Sequence, residues 1–210
     1  MTAKPQKLVA GVSPFVPPAA YPERGSADLR PEHREYLRAR GITDLEYLRR
    51  AGVRSGVGEL IFCYYDPETG AFLRDFARVA PFPRPKKNKF RQPIRSSNHL
   101  YFAPVVDRPA LADVLGDPTA DLYLCEGETR ALALGAHGLF AVAIGGINSF
   151  RTRTVDGLSI SLPEFDLINL RNRNVVVCFD HDATSPEAAT QKRLALASLC
   201  TMLDGKGARS

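Results

Sequence analysis

Apolar positions along this chain first follow a helical period and then a strand period. In the run Leu29 to Gly41, Pro31 suits a first helical turn, Tyr36 and Leu37 form one apolar side, and Gly41 ends the helix. Thr43 stands three residues before Glu46, a capping-box spacing, and Leu45, Leu48 and Ala51 carry a second short helix to Gly52. Such a pair fits either a DNA-reading helix-turn-helix or two helices that only pack together. From Glu59 the pattern turns strand-like. Leu60 to Tyr65 is apolar and aromatic, Asp66 to Gly70 is a turn, and Ala71 to Ala80 returns as a second strand. Leu100 to Ala103 reads as another short strand, expected to join these two in a small antiparallel sheet. Pro81 to Lys89 is a basic loop, and residues 113–119 are expected to be a hinge.

Beyond that point strand and helix alternate. Leu122–Cys125, Phe140–Ile144 and Val175–Phe179 are short apolar runs, as expected of strands covered on both faces. Helices are expected over residues 128–136 and 184–203, the latter opened by Thr184 and Glu187 at capping-box spacing with Pro186 in its first turn. This order implies a parallel sheet in an α/β domain. Residues 148–174 form an insert that carries Arg151, Arg153, Arg171 and Arg173, with one short helix after Pro163. The chain thus divides into a Pro/Ala-rich arm over residues 1–27, a basic α+β subdomain over 28–117 and an α/β domain over 118–210.

Composition narrows the class. The 210 residues are 44% hydrophobic and 24% charged, which excludes a disordered chain, a collagen-like fibre and a coiled coil. No apolar run approaches the roughly 20 residues of a membrane-spanning helix. The N-terminal segment is broken by Pro14, Pro17 and Pro18 and lacks a signal-type apolar core. Cys63, Cys125, Cys178 and Cys200 show no C-x-x-C spacing, so they read as reduced core residues of a cytoplasmic protein. The net charge of +5 is unevenly spread. Residues 1–110 hold 19 Lys/Arg against 11 Asp/Glu (+8), and residues 111–210 hold 9 against 12 (−3). A basic half that attracts phosphate beside an acidic half that holds metal suits an enzyme acting on nucleic acid.

Candidate chemistry lies at the strand ends, where ligands bind in open parallel sheets. The first parallel strand runs into Glu126-Gly127-Glu128, and the third into Asp180-His181-Asp182. In an extended Asp-x-Asp both carboxylates face one side, and a third from a neighbouring strand completes an oxygen set suited to Mg²⁺. The alternative is structural: Asp182 caps the following helix and Glu126 pairs with an arginine. The second strand ends in Gly145-Gly146, which permits close approach of a ligand or backbone. Lys86, Lys87 and Lys89, with Arg74, Arg84 and Arg91 nearby, form the densest basic stretch and read as phosphate contacts. Tyr64, Tyr65, Phe76 and Phe90 are either core residues or base-stacking platforms. His33, His99 and His137 share no spacing and read as surface or capping positions. No nucleophile elbow surrounds Ser13, Ser149 or Ser159, and no Walker-type loop is present.

Leu122 to Gly127 with Thr129 to Leu132, then Ala143 to Gly146, then Val175 to Ala183, resemble the Toprim domain of bacterial-type primases, topoisomerases and related nucleases. Phe76-Ala-Arg-Val79, Lys89-Phe-Arg-Gln-Pro93 and Leu100-Tyr-Phe102 stand in the order of the basic subdomain that precedes Toprim in primase cores. The helix pair and sheet also resemble an uncharacterised domain of plasmid, phage and integrative-element replication proteins. The resemblance implies a Rossmann-like Toprim sheet, ending here before its usual last strand, behind a small basic α+β subdomain. It implies Glu126 as general acid/base or metal ligand, Asp180 and Asp182 as a pair for Mg²⁺ or Mn²⁺, and Arg78 and Lys89 on template or nucleotide phosphates. The implied activity is primer synthesis on single-stranded DNA by a mobile element's primase-like nucleotidyltransferase, without a membrane. Two alternatives stand beside it: a metal-dependent nuclease using the same acids, and an inactive module that binds single strands and recruits a helicase or polymerase.

Overall fold

The computed structural model describes residues 24–85, 90–106, 111–180 and 185–210. Helices α1 (Pro31–Arg38) and α2 (Leu45–Arg50) open this part of the chain, with Pro31 in the first turn of α1. The cap of α2 falls on Asp44 rather than Thr43, because the Asp44 carboxylate accepts from the backbone N–H of Glu46 and Tyr47. Strands β1 (Val53–Gly56), β2 (Glu59–Tyr65) and β3 (Phe72–Pro81) form an antiparallel sheet in that order.

Strand β4 (Tyr101–Phe102) does not join that sheet, contrary to the sequence expectation. It pairs antiparallel with β6 (Phe140–Ile144), at one edge of a four-stranded sheet ordered β4-β6-β5-β9. In that sheet β5 (Leu122–Glu126) lies parallel to both β6 and β9 (Val175–Cys178). The cause is two-sided burial. Tyr101 packs into the core under α1, α2 and the small sheet, while Phe102 packs into the core on the opposite face. Along β6 the same alternation sends Ala141 and Ala143 one way and Phe140, Val142 and Ile144 the other. A single core therefore joins residues such as Leu37 and Phe62 to Cys125, Ala131 and Ala143.

Helix α3 (Leu111–Gly116) occupies much of the expected hinge, with Val114 and Leu115 buried. Arg173 of the insert is itself fully buried and latches this helix, donating to the carbonyls of Val114 (2.9 Å), Leu115 (3.2 Å) and Asp117. Helix α4 (Glu128–Ala136) connects β5 to β6, and α5 (Pro186–Gly205) follows β9. The cap of α5 is Ser185, whose hydroxyl accepts from the N–H of Ala188 at 3.2 Å. The insert contributes an antiparallel hairpin, β7 (Arg151–Arg153) and β8 (Ser159–Ser161), then a 3-10 helix at Pro163–Leu167, the short helix expected after Pro163. Among the described residues no helix is long and apolar enough to cross a membrane.

Candidate functional site

Strand β5 ends at Glu126, and Gly127 then adopts φ +96°, a value that favours glycine. This turn separates two carboxylates that are only two residues apart. Glu126 lines a cleft of about 690 Å³ beyond the strand ends. Glu128, the first residue of α4, turns inward and is completely buried. Its Oε1 accepts from Tyr64 Oη at 2.7 Å and from Arg78 Nη1 at 2.8 Å. A buried carboxylate needs such partners to offset its lost hydration. The effects on its partners agree in sign. Burial and the Glu128 charge push the Tyr64 phenol well above its ordinary value. For Arg78, burial alone would favour loss of the proton, but Glu128 and Tyr64 outweigh it and the guanidinium is held more firmly charged.

Asp180, two residues beyond the end of β9, lines the same cleft as Glu126. Arg130, one turn into α4, ties the two strand ends together. Its Nη1 donates to the Glu126 carbonyl at 2.7 Å and its Nη2 forms an ion pair with Asp180. Asp182 lies outside the described residues, and among those described no three His, Cys, Asp or Glu side chains gather into a metal-holding group. Glu126 and Asp180 carry hard oxygen donors at adjacent strand ends, the donor chemistry that Mg²⁺ or Mn²⁺ would take.

The opposite wall of the cleft is cationic and aromatic. The Arg40 guanidinium lies 3.7 Å from the Tyr36 ring centre, and that of Arg84 lies 5.3 Å from Tyr36 and 4.6 Å from Phe90. Arg78 completes the series at 4.8 Å from Phe90. Three guanidinium groups thus alternate with two rings, an arrangement held by cation–π attraction. Arg84 Nη1 and Arg78 Nε are buried without a hydrogen-bond acceptor among the described residues. Burial makes the Arg84 charge less favourable than usual. Arg40, Arg78 and Arg84 all line the cleft, and guanidinium groups suit an anion such as a phosphate.

Of the residues expected at the site, Glu126, Asp180, Arg78 and Gly145 meet at this cleft. At Gly145 a Cβ would stand 3.0 Å from Arg78 Nη1, so the guanidinium would have to give way by a few tenths of an ångström. Gly146 does not line the cleft, and a Cβ there would make ordinary contact with Ser149. Arg74 and Arg91 are exposed and lie outside its lining. Lys86, Lys87 and Lys89 lie outside the described residues. Tyr64 and Phe76 are core residues, while Phe90 is part of the cleft wall. His33, expected as a surface or capping residue, is buried with its Nδ1 2.7 Å from Ser55 Oγ.

Arg84, read with the basic stretch as a phosphate contact, lines the cleft, and Tyr36, Arg40, Glu128 and Arg130 join the site without having been singled out for it by their spacing. Tyr36 and Arg40 do stand four residues apart, the separation that stacks side chains on a helical face. What they face follows only from the packing of α1.

Residues 111–210 match the family described as "Domain of unknown function (DUF3854)". A search of curated proteins finds no match. Among solved structures, the chain is similar to the crystal structure of the Aquifex aeolicus primase, zinc-binding and RNA polymerase domains. The TM-score is 0.53 at 15% identity, over 85% of this chain and 48% of that one, so this chain spans about half the length of that protein. At that identity the likeness is one of fold: a mixed α/β architecture whose sheet contains parallel strands, as in a primase domain.

Proposed function

We propose that this chain is a primase-like nucleotidyltransferase acting on a single-stranded DNA template, with its four-stranded sheet in the role of a Toprim domain. The observation that carries the reading is the cleft itself. Two strand-end carboxylates, Glu126 and Asp180, share its lining with the guanidinium groups of Arg40, Arg78 and Arg84. Phosphoryl transfer asks the protein chiefly for positioning and charge stabilisation, and the two walls divide those tasks. Arg78 and Arg84 bind and orient the phosphates of the nucleotide, and Tyr36 and Phe90 offer faces for bases. Glu126 takes the proton from the primer 3′-hydroxyl as its oxygen forms a bond to the α-phosphorus and the bond to pyrophosphate breaks. Glu126 and Asp180, with Asp182, would hold Mg²⁺ or Mn²⁺, which when bound neutralises charge on the phosphate oxygens. The fold likeness to a primase supports the assignment.

A second reading is a strand-binding module without chemistry, and the Arg130–Asp180 ion pair favours it, since it already neutralises one of the carboxylates. Incorporation of labelled nucleotides on a single-stranded template, with Mg²⁺ and with Mn²⁺, separates the two. Under the enzyme reading the wild type extends and Glu126→Gln abolishes extension, while strand affinity stays within a few-fold. A wild type that binds strands but neither extends nor cleaves them leaves the module reading.

A further inference from the structure

A second concave surface lies beside the cleft, between the β7–β8 hairpin, the loop at residues 95–98 and the outer face of α5. Its volume is about 640 Å³. Arg95, Arg151 and Arg153 project from its lining, and all three are exposed. None of the described lining residues is acidic; the remaining polar groups are amides and hydroxyls, such as Asn98 and Asn148. A groove with three guanidinium groups and no carboxylate in its lining is built for an anion, and amides and hydroxyls supply further bonds to phosphate and sugar oxygens. Leu194 of α5 is 60% exposed within the same lining, an apolar surface on which a base or sugar face can rest.

The groove continues the cleft along two chain segments. Phe90 of the cleft wall leads to Arg95 and Asn98, and Gly145 of the cleft leads to Asn148, three residues on. Three residues span at most about 11 Å, so the two surfaces are neighbours. The hairpin is held in position at the groove. Arg151 Nη2 donates to Ser198 Oγ on α5, its guanidinium lies 4.9 Å from the Phe150 ring centre, and Asn98 Nδ2 reaches the Arg151 carbonyl at 3.5 Å. Arg95 adopts φ 64°, an uncommon conformation for a residue with a side chain, within this lining.

We propose that this groove binds the phosphodiester backbone of a single nucleic-acid strand as it runs on from the Glu126 cleft. The inference rests on the nucleic-acid reading of the cleft for its ligand class, but it does not need the cleft to be catalytic. The insert between β6 and β9 is then a strand guide, with Arg95, Arg151 and Arg153 as its phosphate contacts.

Fluorescence anisotropy with labelled oligothymidylates of about 5 and about 20 nucleotides, lengths that bracket typical single-strand sites, tests it across a salt series. In R95A/R151A/R153A the long strand should bind roughly tenfold more weakly, with a log–log salt slope shallower by about 2, since each phosphate contact contributes roughly 0.7. The short strand, which the cleft accommodates alone, should change less than about twofold in affinity. Because Arg151 also braces the hairpin, R95A/R153A provides a variant that leaves that brace intact, with an expected slope change of about 1.4. R95K/R153K should restore the wild-type slope.

A long-strand slope unchanged in both alanine variants overturns the proposal, as does equal weakening of short and long strands. Failure of the two readings is distinguishable. Nucleotide incorporation by a wild type whose groove variants keep its salt slope removes only the groove. Groove-dependent strand binding without incorporation removes only the enzyme reading.

Discussion

Glu128 and Arg78 face each other across the junction of the two sheets, with 2.8 Å between Oε1 and Nη1 and the carboxylate fully buried. The pair links the first residue of the helix behind Glu126 to the middle of β3. Through it, the position of the acidic strand end and that of the cationic wall become one structural variable. Arg78 also rests against Gly145 and Phe90, so three separate stretches of sequence register on a single guanidinium.

Breaking this pair from one side should be costly. Glu128→Gln leaves Arg78 charged and nearly enclosed, and removal of one member of a buried pair typically costs about 3–5 kcal/mol. Urea unfolding should show a loss of about 3 kcal/mol, and Glu128→Gln with Arg78→Met should recover part of it. A single-variant loss below about 0.5 kcal/mol would mean that the pair does not join the sheets.

Arg84 should behave in the opposite way. Its Nη1 is buried without an acceptor among the described residues and burial makes its charge less favourable, so the residue adds little to folding. Arg84→Met should leave the thermal midpoint equal to or above that of the wild type while single-strand binding weakens and its salt slope falls by about 0.7. Lower stability with unchanged binding would assign Arg84 to the scaffold.

Arg130 competes for Asp180. If Glu126 and Asp180 hold a divalent cation, Arg130→Met should tighten Mn²⁺ binding about two- to fivefold, the worth of a half-exposed ion pair. Asp180→Asn should weaken it. Titration calorimetry reads both, and tighter binding in neither Mg²⁺ nor Mn²⁺ would show that Arg130 does not guard the site.

His33 makes stability depend on pH. Burial, opposed by Glu32 and aided by Arg30, lowers its proton affinity below the ordinary 6.5. The unfolded chain therefore binds the proton more readily. The contribution is fully present above pH 6.5 and is lost as pH falls through the folded value. Urea midpoints of the wild type should fall between pH 7.5 and pH 5 more steeply than those of His33→Gln; parallel curves would contradict the assignment.

Arg173→Met should uncap α3. Three backbone carbonyls lose a charged donor, at a cost of about 2–3 kcal/mol in unfolding free energy. Single-strand binding should be unaffected, in contrast to the variants of Arg151 and Arg153 on the same insert.

Much of the architecture was legible in the chain. The apolar runs at residues 122–125, 140–144 and 175–178 are all parallel strands; the two inner ones are covered on both faces, whereas β9, at the sheet edge, leaves Val176 exposed, contrary to the expectation of two covered faces. Local chemistry also marks Pro31 and Pro186 at helix starts. Glu126 and Asp180 were visible as acids at strand ends because connectivity alone sends parallel strands to one rim.

The partners of those acids were decided by tertiary packing. Glu126 and Glu128 are chemically alike and only two residues apart, yet a positive-φ glycine and the approach of β3 send one to the cleft and the other to Arg78. The insert arginines divide in the same way, Arg173 into the core and Arg151 and Arg153 onto a groove. Strand β4 left the small sheet because Tyr101 and Phe102 fill different cores. Periodicity is a property of neighbours along the chain, and it determines which face of an element is apolar. What a charged side chain meets depends on distant elements brought within a few ångströms, where burial and Coulomb energy act, and only the folded chain sets those distances.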